Sequence, residues 1–186
     1  MKLSTAPETV AAGIELDAVS RPDIEERFQA LLDSNGGALV RLAASYTRST
    51  SDRDDLLQEI AMALWQALPR FRGECSERTF LFRIAHNRCL AHLSRRRPLV
   101  ALEEEEIWLE DPRPPADLQL SEAQRGEQLV RAVHRLPLIY RQVITLTLEG
   151  LSYRDVAQVL GISESNVGVR LNRARQLLKT FIEDQR

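Results

Sequence analysis

Two blocks in which apolar residues recur at steps of three and four flank a segment that regular structure cannot easily cross. Between Pro98 and Pro115 the chain carries Glu103, Glu104, Glu105, Glu106, Glu110 and Asp111, with Pro112 and Pro114 beside the last of them. Proline fixes φ and removes a backbone donor, so it blocks helix continuation and favours an extended chain. Residues 98–120 therefore read as an acidic, proline-rich linker. The chain divides into an extension at 1–24, a first domain at 25–97, this linker, and a second domain at 121–186.

Both domains read as helical, because no stretch alternates convincingly with period two. In the first, Leu39, Leu42, Ala43 and Tyr46 form one stripe, Leu57, Ile60, Leu64 and Leu68 a second, and Leu81, Ala85, Cys89 and Leu93 a third. Three helices can pack around one core. In the second, Leu129, Val133 and Leu136 precede Pro137, and Val143, Ile144, Leu148 and Leu151 follow it. The expected fold class is all-α, two small helical domains joined by an extended linker.

Composition excludes several functions. No apolar run approaches the roughly 18 residues that cross a bilayer, and Glu8, Glu15 and Asp17 interrupt the N-terminus, unlike a secretory signal. A cytoplasmic chain without stable membrane insertion is the expectation. Two cysteines cannot build a disulfide scaffold, and three histidines leave few soft ligands for zinc. His86, Cys89 and His92 repeat every three residues, but His86 and His92 project to different sides of a helix, so no metal site is expected. The reading there is a buried thiol flanked by two surface histidines. Neither a nucleophile–base pair nor a glycine-rich phosphate loop is found, so neither catalysis nor a cofactor is expected.

The net charge of -2 hides a local pattern. From Arg70 to Arg97 eight arginines face two acids, Glu74 and Glu77. That stretch wants an anion, and Phe71, Phe80, Phe82 and Asn87 interleave aromatic and amide groups that can receive an unstacked base, with Phe80 and Ile84 read as core rather than pocket. At the start of the preceding helix Asp52, Asp54, Asp55 and Glu59 favour the positive helix end, and with Gln58 they also form an exposed acidic face. Periodicity alone does not choose between capping and docking.

In the second domain Ser152 and Asp155 make a capping-box-like start, Gly161 suits a left-handed stop, and Ser163 is a second N-cap. Val167, Leu171, Ala174 and Leu178 bury one face of the next helix and leave Asn166, Val169, Arg170, Asn172, Arg173 and Gln176 on the other. Helix, glycine turn and basic helix form the helix-turn-helix that enters a DNA major groove. A plain surface helix with solvated charges is the alternative, and the complete constellation disfavours it.

Asp54-Asp55-Leu56-Leu57-Gln58-Glu59, then Phe71-Arg72-Gly73-Glu74, then Phe80-Leu81-Phe82-Arg83-Ile84-Ala85-His86-Asn87 resembles conserved region 2 of bacterial sigma factors of the extracytoplasmic-function group. Leu148-Glu149-Gly150-Leu151-Ser152-Tyr153, Asp155-Val156-Ala157, Leu160-Gly161-Ile162-Ser163 and Val167 through Arg175 resemble region 4 of the same group. The resemblance implies a promoter-specificity subunit that rides on core RNA polymerase, touching the largest subunit's coiled coil and the flap. It makes Asp54, Asp55, Gln58 and Glu59 polymerase contacts. It places Phe71, Arg72, Gly73, Glu74, Ser76, Phe82, Arg83, Asn87 and Arg88 at the minus-10 promoter element, where the pocket around Asn87 takes an extruded base. It places Asn166, Val169, Arg170, Asn172, Arg173 and Arg175 at the minus-35 element. It also implies an anti-sigma partner that covers both domains.

Some positions depart from the family pattern. Phe80 stands where tryptophan is usual, Ala91 and Ser94 replace an acid and an arginine, and Gly168-Val169 replaces a basic residue and a serine. Glycine at 168 costs the helix up to about 1 kcal/mol and removes a phosphate or base contact. An autonomous helix-turn-helix regulator remains the alternative function, and it leaves the acidic face and aromatic pocket of the first domain unexplained.

Overall fold

The structure is a computed structural model that describes residues 21–96 and 122–183. The acidic linker and nearly all of the N-terminal extension lie outside the described residues. Within them the chain is helical, with α1 (Arg21–Ala44), α2 (Thr50–Ala67), a 3-10 turn (Leu68–Arg70) and α3 (Glu77–Arg96) forming a first bundle. A second bundle comprises α4 (Glu122–His134), α5 (Leu138–Leu148), α6 (Tyr153–Leu160) and α7 (Glu164–Glu183).

Local chemistry sets the helix ends. Ser49 caps α2 by accepting from the Asp52 N–H at 3.1 Å, so the hydroxyl rather than the acids does the capping there. Ser76 caps α3 in the same way, accepting from the Thr79 N–H at 3.0 Å. Ser152 caps α6, which stops at Gly161 in the left-handed conformation (φ 67°) that a Cβ would strain.

The first core joins Leu39, Leu42 and Ala43 of α1, and Tyr46 just after it, to Leu56, Ile60 and Leu64 of α2, Leu68, and Leu81, Phe82, Ala85 and Cys89 of α3. Fully burying each leucine contributes about 1.5–3 kcal/mol. The α2 stripe is set by Leu56, which is fully buried, whereas Leu57 is only partly so. Both side chains satisfy a step to Ile60, and the four-residue step carries the core.

In the second bundle Ala132, Val133, Leu136, Val143, Ile144, Leu146, Leu151, Val156, Val167, Leu171, Ala174 and Leu178 form the core. Leu129 and Leu148, expected inside, are 37% and 54% exposed. Leu148 is the last residue of α5, and the chain leaves the helix through Gly150 (φ 79°) so that Leu146 and Leu151 close the core instead.

The two bundles pack against each other, α3 against α6, rather than standing apart as bodies on a tether. Their seam is polar as well as apolar. Arg41 at the end of α1 grips the Glu149 carboxylate with Nε at 3.0 Å and Nη2 at 2.7 Å. Thr79 donates to Asp155 Oδ1 at 2.7 Å, and His134 Nε2 lies 2.9 Å from the Ala44 carbonyl. Tyr46 is buried beside Thr145 and Arg141 of α5.

His86 and His92, expected at the surface, are instead 4% and 8% exposed. His86 lies two turns after Thr79, hence on the same side of α3, which α6 partly covers. Among the described residues, neither of its ring nitrogens has a hydrogen-bond partner in ordinary geometry. Burial pushes its pKa down to about 4, opposed in part by the neighbouring Asn87 amide.

Candidate functional site

Three surfaces carry the residues singled out by the sequence. On α2, Asp54, Asp55 and Gln58 are exposed and Glu59 half-buried. At about 100° per residue these four fall on one side of the helix, with Met62 at its centre. Met62 is 63% exposed, an apolar patch amid acids that sequence reasoning missed. Two of the acids are engaged within the chain: Asp54 accepts from Arg53 at 3.1 Å, and Glu59 accepts from Arg95 of α3 at 2.8 Å. Arg95 therefore fixes the rim of this face from another helix.

A second surface lies between the 3-10 turn and α3. A cavity of about 200 Å³ is lined by Arg70, Phe71, Arg72, Glu74, Phe80 and Arg83. The Phe71 and Phe80 ring centroids are 4.7 Å apart, and the Arg83 guanidinium sits 5.5 Å from the Phe80 ring. Gly73 (φ 75°) turns the loop that brings Phe71 back over α3. Arg27 of α1 buttresses the far side, 5.9 Å from the Phe71 ring and bonded to Glu77 at 3.0 Å. The cavity is smaller than the roughly 300 Å³ of drug-sized sites and suits one planar ring system between an aromatic pair and cations.

Phe82 is not part of it. Its ring is fully buried, capped by the Arg78 guanidinium at 5.3 Å, and Phe80 takes the wall that was expected of it. Residues two apart on a helix diverge by about 200°, so only one of the two rings can face the loop, and Arg83 follows Phe80. Ser76 is exposed, but its hydroxyl is already used as the α3 cap and is 2.7 Å from Thr79 Oγ1. Asn87 and Arg88 are exposed one turn beyond Arg83, outside the cavity lining.

The third surface is the outer face of α7. Val169 is 71% exposed, and Asn172, Arg173 and Gln176 are exposed with it. Asn166 accepts from Arg170 Nε at 2.9 Å, so these two half-buried side chains hold each other. Arg175 is exposed but lies about 120° around the helix from Val169. Gly168 faces α6, where a Cβ would meet the Tyr153 ring at 3.7 Å, so it is turned toward protein.

Residues 31–98 match the family model for sigma-70 region 2, and residues 126–178 match that for sigma-70 region 4. The ECF RNA polymerase sigma factor SigM of Mycobacterium tuberculosis is 32% identical over 156 residues, 83% of this chain and 76% of that protein. The chain belongs to the extracytoplasmic-function sigma factors. Among solved structures, CnrH in complex with the cytosolic domain of CnrY aligns with TM-score 0.65 at 27% identity, over 86% of this chain and 90% of that one. The sigma factor RpoE of Bartonella quintana, solved with the anti-sigma factor NepR, has the same fold, with TM-score 0.61 at 20% identity over 88% and 99% of the two chains. This sigma factor directs RNA polymerase to promoters, and its first bundle coincides with region 2 and its second with region 4.

Proposed function

We propose a division of labour among the three surfaces. The α2 face of Asp54, Asp55, Gln58, Glu59 and Met62 docks on the coiled coil of the largest polymerase subunit, with Met62 as its apolar centre. The Phe71–Phe80 cavity, with Arg70, Arg72 and Arg83 around it, takes a non-template base flipped from the minus-10 element, and Asn87 and Arg88 track the adjoining backbone. Unstacking a base costs a few kcal/mol, and stacking on an aromatic ring returns about 1–3 kcal/mol. Val169, Asn172 and Arg173 read base edges at the minus-35 element, and Arg175 holds phosphate beside them.

The observation that carries this reading is the aromatic cavity framed by cations on the same chain as a helix-turn-helix with an open outer face. A duplex-binding regulator has no use for the first. The polymerase supplies the chemistry, and this chain supplies position. Its workplace is then the cytoplasm, consistent with the absence, among the described residues, of a helix long and apolar enough to cross a membrane. RpoE is solved with an anti-sigma factor, and an inhibitor of that kind that contacts both bundles is the partner we assign here. Run-off transcription with core polymerase on a genomic promoter library tests the reading. Start sites that appear only with this protein support it, and an identical transcript set without it overturns it.

A further inference from the structure

Among the described residues, no large hydrophobic side chain is more exposed than Val169 of α7, at 71%. A single apolar residue at a surface calls for no explanation by itself; its place on the helix does. At about 100° per residue, Ser165, Asn166, Asn172, Arg173 and Gln176 all fall within about 60° of it, on both sides, so Val169 is the centre of the outer face. The opposite side of the same helix is anchored, with Val167, Leu171 and Ala174 fully buried. Gly168, the residue before it, faces Tyr153 and puts no side chain across it. Branching at Cβ leaves valine one strongly preferred rotamer in a helix, so its two methyl groups are held out in a fixed place with little freedom left to lose on contact.

The rest of the face can donate and accept. Asn172 and Gln176 carry amides, Arg173 a guanidinium, and all three are exposed. In a major groove amides pair with adenine and guanidinium with guanine, whereas valine offers neither donor nor acceptor. Set against guanine, adenine or cytosine, it would strip water from a polar edge and return no hydrogen bond. The one apolar group that any base presents in that groove is the 5-methyl of thymine.

We propose that Val169 is a specificity-determining residue: it packs on the 5-methyl group of one thymine in the minus-35 element and so selects an A·T pair, with the methyl on a defined strand, beside the bases read by Asn172 and Arg173. This rests on the minus-35 assignment of α7 made above and names the base that the assignment leaves open. The contact displaces no counterion, so the discrimination it gives is the same at low and high salt, unlike a phosphate contact.

Deoxyuridine differs from thymidine at that methyl group alone, which makes it the probe. Holoenzyme assembled from core polymerase and the full chain is bound to a promoter mapped by run-off transcription, with each thymine of the upstream element, on either strand, replaced in turn by deoxyuridine. For the parent, one replacement should weaken binding about fourfold, the worth of one buried methyl group, at every salt concentration, and the others should have little effect. Val169→Ser, close to valine in helix propensity, should bind the thymine and deoxyuridine promoters equally, and Val169→Ile, which keeps the branch, should retain the discrimination. Circular dichroism confirms helix content in both variants. Exchanging the sensitive pair for C·G should weaken binding, and 5-methylcytosine in that place should recover about fourfold. An affinity that depends on the element but on none of its methyl groups, or a sensitivity that survives in Val169→Ser, overturns the role of Val169 and leaves the minus-35 assignment standing. Equal affinity for a scrambled upstream element overturns the assignment of α7 itself, and the thymine contact with it.

Discussion

Phe71 and Phe80 meet at 4.7 Å between centroids with their planes tilted by 41°, one ring from the loop after the 3-10 turn and the other from the first turn of α3. Their contact closes one wall of the cavity between the loop and α3, and Phe82, two residues on from Phe80, belongs wholly to the core.

The two neighbouring rings should therefore separate by phenotype. Phe71→Ala should weaken promoter opening by about 1–3 kcal/mol, up to a hundredfold in the open fraction, with a small change in melting temperature. Phe82→Ala should lower folding stability by about 3–5 kcal/mol. Permanganate footprinting and thermal melting, run on both variants, distinguish the two; equal loss of opening at equal stability would contradict the assignment.

On α7, Arg173→Ala should cost about 1–3 kcal/mol and relax preference at one minus-35 position. Arg175→Ala should weaken binding to all sequences alike and lower the salt dependence of binding by about one unit. Competition between promoter variants at several salt concentrations resolves the two behaviours.

Gly168 faces Tyr153 with space for a methyl group at ordinary contact distance. Gly168→Ala should stabilise the second bundle by about 0.5–1 kcal/mol while leaving minus-35 preference unchanged. Denaturant unfolding measures the first and footprinting the second. A shift in base preference would show that position 168 is turned to DNA after all.

Acid should destabilise the fold before the carboxylates titrate in bulk. The His86 pKa is lowered by burial to about 4, below the 6.5 of a free imidazole, so the unfolded chain takes up a proton that the folded chain refuses. The His86 contribution is complete above about pH 6.5 and is lost as pH falls toward 4, to a total of about 3 kcal/mol. His134, also lowered by burial, and Asp155, held down by its bonds to Ser152 and Thr79, act in the same direction, Asp155 at lower pH. His86→Leu should flatten the stability profile between pH 6.5 and 4; an unchanged slope would place the proton elsewhere.

How much of this was readable beforehand depended on range. The α6 and α7 boundaries follow from Ser152, Gly161 and Ser163, because caps and left-handed glycine are decided within a few residues. The family motifs likewise named the α2 face, and the basic aromatic stretch named the loop and α3. Phe80 was read as core and Phe82 as pocket, the reverse of the cavity lining, since both rings suit either environment and only the register of α3 against the loop separates them. Burial of His86 depends on where α6 lands, and the Arg41–Glu149 pair joins residues 108 positions apart. Met62 lies off the stripe of Leu57, Ile60, Leu64 and Leu68 and so carried no role in the sequence reading. Its position on the same side of α2 as Asp55 and Gln58 is the signal that could have found it.

Arg78, in the first turn of α3, has its guanidinium over the Phe82 ring, one edge on Asn35 of α1 and another on the Glu149 carbonyl of the second bundle. All three partners are uncharged, so the guanidinium keeps its full positive charge where the two bundles meet. Arg78→Lys would retain that charge and lose the planar fork that reaches both oxygens at once, loosening the seam with no change in net charge.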